Sequence, residues 1–149
     1  MIEKYKYLAE MIGLLGTING RKKIHKMVFL AKQVGAPFKE DFDYHFYGPY
    51  SEELAGELEE MKYFGLVEEK KATTRSGYIQ YTYSLTDKGK KLAGMSEEKH
   101  LYQFNDFLIN LNQFDARDLE LKATLLFLLQ SGYQPNDASK KIKELKPEQ

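Results

Sequence analysis

Residues 51–93 read SEELAGELEEMKYFGLVEEKKATTRSGYIQYTYSLTDKGKKLA, and the order of signals within them decides the fold. Ser51 is a good helix cap, and Glu52 and Glu53 follow in the first turn, where the helix dipole favours anions. Leu54, Leu58 and Met61 recur at i, i+4 and i+7, so a helix runs to about Phe64 and closes at Gly65. Leu66–Ala72 then reads as a strand. Gly77–Leu85 reads as its partner, with Ile79, Tyr81, Tyr83 and Leu85 alternating and a polar tip at Thr73–Ser76. Thr86 caps a short helix, Asp87–Ala93.

Two more helices are expected upstream. Tyr7, Leu8, Met11, Ile12 and Leu15 repeat at helical spacing within residues 3–15. A second helix runs from Arg21 to about Val34, its apolar face made by Ile24, Met27, Val28 and Ala31, with Lys22, Lys23, Lys26 and Lys32 elsewhere around the axis. Gly35 and Pro37 stop it. Phe42, Tyr44 and Phe46 then share one side of a strand, which Gly48-Pro49 ends with turn chemistry. Downstream the chain reads as helical: Leu101, Phe104, Leu108 and Leu111 form a stripe, Asp115 caps a helix holding Leu125–Leu129, and Ala138, Ile142 and Leu145 share the face of a last one.

Composition narrows the functions. Among 149 residues, 22 basic and 22 acidic side chains cancel, which argues against a dedicated polyanion binder. The absence of cysteine excludes disulfides, thiol catalysis and cysteine metal sites. The opening MIEKYKYLAEMIGLLG has no long apolar run, and no stretch approaches a membrane span, so no membrane contact and a cytoplasmic location are expected.

Helix, helix, helix, hairpin, short helix is the order of a winged helix-turn-helix domain. ELEEMKYFGLVEE (57–69) resembles the end of a third helix entering a wing, and YSLTDKGKKL (83–92) resembles the segment after the wing in bacterial regulators. GRKKIHKMVFL (20–30), FYGPYSEEL (46–54), and Ala123-Thr124-Leu125 with Leu145-Lys146-Pro147 together resemble the YwgA-like family, over nearly the whole chain. The first two of these are more distantly similar, over about residues 5–65, to the Panacea (SocA-like) antitoxin domain. The fold expected is α+β: a winged helix-turn-helix-like domain over 1–95 and a C-terminal helical extension over 96–149. The Panacea resemblance implies neutralisation of another protein, and neither family supplies catalytic residues.

Charge is unevenly spread. Residues 1–35 hold seven basic and two acidic side chains, and residues 70–95 hold six and one. Residues 36–69 hold two basic against ten acidic, a net of −8, and the third helix lies in this block. A helix in a major groove passes close to two rows of phosphates, which would repel these carboxylates. About 16 residues also separate the second and third helices, where a helix-turn-helix uses about 3–4. The third helix and its approach are therefore read as a protein-binding surface: Tyr47, Tyr50, Glu52, Glu53, Glu57 and Glu60. The alternative is a DNA-binding regulator that contacts phosphates through Arg21, Lys22, Lys23 and Lys26 on the second helix and Lys70, Lys71 and Arg75 on the wing.

No constellation points to catalysis. His25, His45 and His100 lack the i, i+4 spacing of a helical metal pair, and no glycine-framed nucleophile turn surrounds Ser51. No metal, cofactor or enzyme activity is expected. Leu125–Leu129 is apolar nearly all round, which suggests a homodimer through the C-terminal helices.

Overall fold

A computed structural model describes residues 2–45, 48–95 and 101–145. Phe46, Tyr47, His100 and Lys146-Pro147, singled out above, lie outside the described residues.

The fold is mixed α+β. A 3-10 turn (Ile2–Tyr5) leads into α1 (Lys6–Leu15), then β1 (Ile18–Asn19) and α2 (Arg21–Gln33). β2 (Asp43–His45) and β3 (Gly48–Tyr50) form a hairpin ahead of α3 (Glu52–Tyr63). β4 (Val67–Thr73) and β5 (Ile79–Leu85) make a longer hairpin, followed by α4 (Asp87–Gly94). A 3-10 turn (Tyr102–Phe104), α5 (Asn105–Asn112), α6 (Ala116–Gln130) and α7 (Pro135–Leu145) complete the chain. The three-stranded sheet has the order β1-β5-β4, antiparallel throughout, with Ile18 opposite Tyr83 and Val67 opposite Leu85. This order is compatible with a winged-helix-like arrangement.

The caps form as their side-chain chemistry dictates. Ser51 Oγ accepts from the Leu54 N–H at 3.1 Å, Thr86 Oγ1 from Gly89 N–H at 3.0 Å, and Asp115 Oδ1 from Asp118 N–H at 2.8 Å. Each satisfies a donor that a helix start otherwise leaves unpaired. Gly89 has a further reason to be glycine. A Cβ there would lie 2.0 Å from the Leu66 carbonyl oxygen, so only a bare backbone lets α4 sit against the start of β4.

Two elements depart from the sequence reading. Gly48-Pro49 does not end a strand, because Gly48–Tyr50 is itself β3 and pairs back on Asp43–His45. The linker between α2 and α3 is thus a hairpin, and β3 packs on α2 and α6. Gly48 permits that approach: its φ is 95°, and a Cβ would meet Thr124 Oγ1 at 2.9 Å. Second, α2 is buried all round from Lys23 to Ala31, because α5, α6 and β3 all pack on it as well as β1. Its lysines do not all reach solvent.

One buried apolar cluster joins Leu8, Met11, Ile12, Ile24, Met27 and Val28 to Leu54, Met61 and Tyr83, and also to Leu108, Leu111, Leu119 and Ala123 of the C-terminal helices. On α6, Leu128 is buried, Leu126, Phe127 and Leu129 are half-buried, and Leu125 is exposed. Among the described residues no helix is long and apolar enough to cross a membrane.

Candidate functional site

α2, α3 and the β2–β3 hairpin enclose a cleft of about 720 Å³. Its walls include Arg21, Lys22, His25 and Lys26 from α2, His45, Gly48 and Tyr50 from the hairpin, and Ala55, Gly56, Leu58 and Glu59 from α3. The volume suits a small ligand or a partner's anchoring side chain.

Three rings form one wall. His25 and Tyr50 stack at 4.4 Å with 9° between planes, and Tyr50 and His45 stack at 4.4 Å with 21°. The hairpin brings His45 and Tyr50 together, and Ser51 anchors His25, its backbone N–H donating to Nδ1 at 3.2 Å. Burial holds His25 far below the ordinary histidine value, at about 3, helped by the nearby charges of Lys26, His45 and Arg21. The ring is therefore neutral. With Nδ1 accepting, its proton sits on Nε2, which makes His25 a fixed donor.

Arg21 is spent on internal structure. Its guanidinium donates to Glu69 at 2.8 Å and to the Tyr83 hydroxyl, and pairs with Glu59 at 3.0 Å. Lys62 also donates to Glu69, at 3.0 Å, and the Tyr83 hydroxyl donates to the same carboxylate. Burial works against the Glu69 charge, yet hydrogen bonds from Tyr83, Arg21 and Lys62 hold its carboxyl at about 2. This network ties the base of the β4–β5 hairpin to α2 and α3.

The remaining basic candidates divide. Lys23 is buried, and its ammonium donates to the Asn112 carbonyl at the end of α5, at 2.7 Å. Burial lowers its pKa while Asp115 opposes the shift. Lys26 is buried as well. Lys22, Lys70, Lys71 and Arg75 are exposed.

The acidic candidates divide too. Glu52 and Glu53 are exposed, and Glu53 Oε1 accepts from the Asp41 N–H at 3.0 Å. Glu60 pairs with Lys4 at 3.2 Å. Glu57 is half-buried against the buried Glu40. Burial, then a hydrogen bond and charge repulsion from Glu40, push it up to about 8 against the pull of Lys4. At neutral pH Glu57 therefore keeps its proton. Of the expected protein-binding set, the structure places Tyr50 in the cleft, Glu52 and Glu53 on the open start of α3, and Glu57 and Glu60 on the side facing Glu40 and Lys4.

The ring stack and the Glu40–Glu57 pair were not legible as sites. His25 is distant in the chain from His45 and Tyr50, as Glu40 is from Glu57, and the strand-and-turn pattern at 42–49 does not reveal the hairpin that gathers His45 and Tyr50.

No protein-family model matches the chain. It is 34% identical over all 149 residues to the uncharacterised protein YwgA of Bacillus subtilis strain 168, and covers 87% of that relative.

Proposed function

The chain belongs to the YwgA-like family, and on that footing we propose that it is a non-catalytic regulatory module of winged-helix type, acting mainly by binding another protein in an antitoxin-like or adaptor-like manner. One observation carries this reading. Three of the four basic side chains on α2 that would serve a nucleic acid are engaged or buried, whereas α3 keeps Glu52, Glu53 and Glu59 exposed. Carboxylates on the helix that would enter a groove oppose phosphate, and suit a basic patch on a protein. Protein capture with the wild-type chain and with Glu52→Lys/Glu53→Lys tests it: a partner held by the first and lost by the second supports the reading.

The second reading is a DNA-binding regulator. Lys22, Lys70, Lys71 and Arg75 are exposed and could contact phosphates without reading bases. Affinity would then fall steeply with salt, depend little on sequence, and drop on Arg75→Glu. A cytoplasmic homodimer belongs to both readings. Its contacts would come from the apolar side chains that the C-terminal helices leave exposed, Ile109 and Leu125 among them.

A further inference from the structure

We propose that the cleft between α2, α3 and the β2–β3 hairpin receives an aromatic side chain of the protein partner, carried on a segment whose flanking residues are basic. This rests on the protein-binding reading and deepens it, because it names the chemistry that the α3 face selects.

The interior of the cleft suits an uncharged anchor. Most of its lining surface is apolar. The cations along it are committed: Arg21 to Glu69, Tyr83 and Glu59, and neither Lys22 nor Lys26 is free. An anion would have to displace an existing partner, whereas a ring need not. The far wall is flat and fixed. Tyr50 is held between His25 and His45, with 4.4 Å between ring centres on each side, and the Ser51 N–H bond to His25 locks that stack. A wall that is already rigid costs little further ordering on binding, and rings pack on such a wall offset or edge-on.

Gly56 is the independent observation. It lies inside α3, where glycine is a poorer helix former than alanine. Its φ is not positive, and a Cβ there would meet nothing within 4 Å, so neither the backbone nor packing within the chain requires a glycine. A bare backbone in the cleft wall lets a ring from outside approach the helix closely.

Charge at the rim sets the flanks. Glu52 and Glu53 lie one helical turn before Gly56 and Glu59 one turn after it, so all three border the same notch, and all three are exposed. Basic residues on either side of the anchor meet these carboxylates, and acidic ones are repelled.

Heteronuclear NMR titration of the full chain tests this with three acetylated and amidated tripeptides, lysyl-tryptophanyl-lysine, lysyl-alanyl-lysine and glutamyl-tryptophanyl-glutamate. The first should bind with a Kd below about 1 mM and shift the amides of Tyr50 and Gly56, and the other two should bind at least about tenfold more weakly. Gly56→Leu fills the notch with a better helix former, so it should abolish binding while the far-UV circular dichroism stays native. Equal binding of either control peptide, undiminished binding to folded Gly56→Leu, or no shift up to about 10 mM overturns the proposal. Shifts at Gly56 on dilution of the chain alone would place a second copy in the cleft and overturn it too. Lysate capture separates this proposal from the reading beneath it. A partner lost with Glu52→Lys/Glu53→Lys but kept by Gly56→Leu overturns the anchor alone, whereas capture indifferent to the charge reversal overturns the protein-binding reading itself.

Discussion

His25→Gln tests the electrostatics of the cleft wall. Glutamine keeps an acceptor for the Ser51 N–H but carries no charge at any pH. In the native protein His25 titrates at about 3; in the unfolded chain it titrates near the ordinary value of about 6.5. As pH falls through that ordinary value the unfolded chain takes up a proton that the native ring refuses. Stability from this group is therefore complete above about pH 6.5 and is lost on acidification toward the native value. At about pH 5 the deficit is about 1.5 units at about 1.4 kcal/mol each, or roughly 2 kcal/mol. At about pH 7.5 the variant should be less stable than wild type by about 1–2 kcal/mol, from lost stacking on Tyr50. Between about pH 7.5 and about pH 5 that gap should shrink by roughly 2 kcal/mol, because only wild type carries the histidine deficit. Other titrating groups, Glu57 among them, are common to both proteins and cancel. Urea unfolding followed by circular dichroism at the two pH values measures the gap. A gap that stays constant refutes the reasoning.

Glu57→Gln should act in the opposite pH direction. The native carboxyl holds its proton up to about 8 while the unfolded one releases it at the ordinary carboxylate value, so wild type loses stability as pH rises through that window. Urea unfolding should then show the variant gaining about 1 kcal/mol on wild type by about pH 8, after allowance for its half-exposure; no gain with rising pH would break the Glu40–Glu57 account. Gly89→Ala should cost about 2–4 kcal/mol through the clash with the Leu66 carbonyl, against a helix-propensity gain of about 1 kcal/mol. Gly56→Ala, with open space around it, should be neutral or stabilising, and equal melting temperatures for the two variants would contradict the packing. Light scattering should give twice the 17.3 kDa chain mass if the C-terminal helices pair, and the single-chain mass at every concentration would exclude that dimer.

Local chemistry was the legible part of the fold. Ser51, Thr86 and Asp115 cap helices through hydrogen bonds to residues three positions on, so the sequence neighbourhood holds the whole interaction. The β4–β5 hairpin showed in the alternation from Ile79 to Leu85, although its tip, Thr74–Tyr78, begins one residue and ends two residues beyond the polar stretch Thr73–Ser76. β1 did not show, because two residues are too short to display a period and Ile18 is held by its pairing with Tyr83. Lys23 read as surface because its partner, the Asn112 carbonyl, is 89 residues away. Arg21 shows the same limit: Glu69 and Tyr83, which engage its guanidinium, come from a hairpin that its own helix does not predict. The acidic character of α3 was plain in the sequence, whereas the sorting of its carboxylates into exposed, paired and protonated groups depended on Lys4, Arg21 and Glu40 arriving from other elements.

The most direct test of the protein-binding reading is quantitative cross-linked capture from native lysate, with nuclease treatment, comparing wild type with Glu52→Lys/Glu53→Lys. Both positions are exposed, so the variant should fold, as circular dichroism checks. The account predicts one nuclease-resistant protein partner bound to wild type and reduced at least about tenfold with the variant. Capture unchanged by charge reversal, or capture of nucleic acid that nuclease removes and Arg75→Glu weakens, would contradict it.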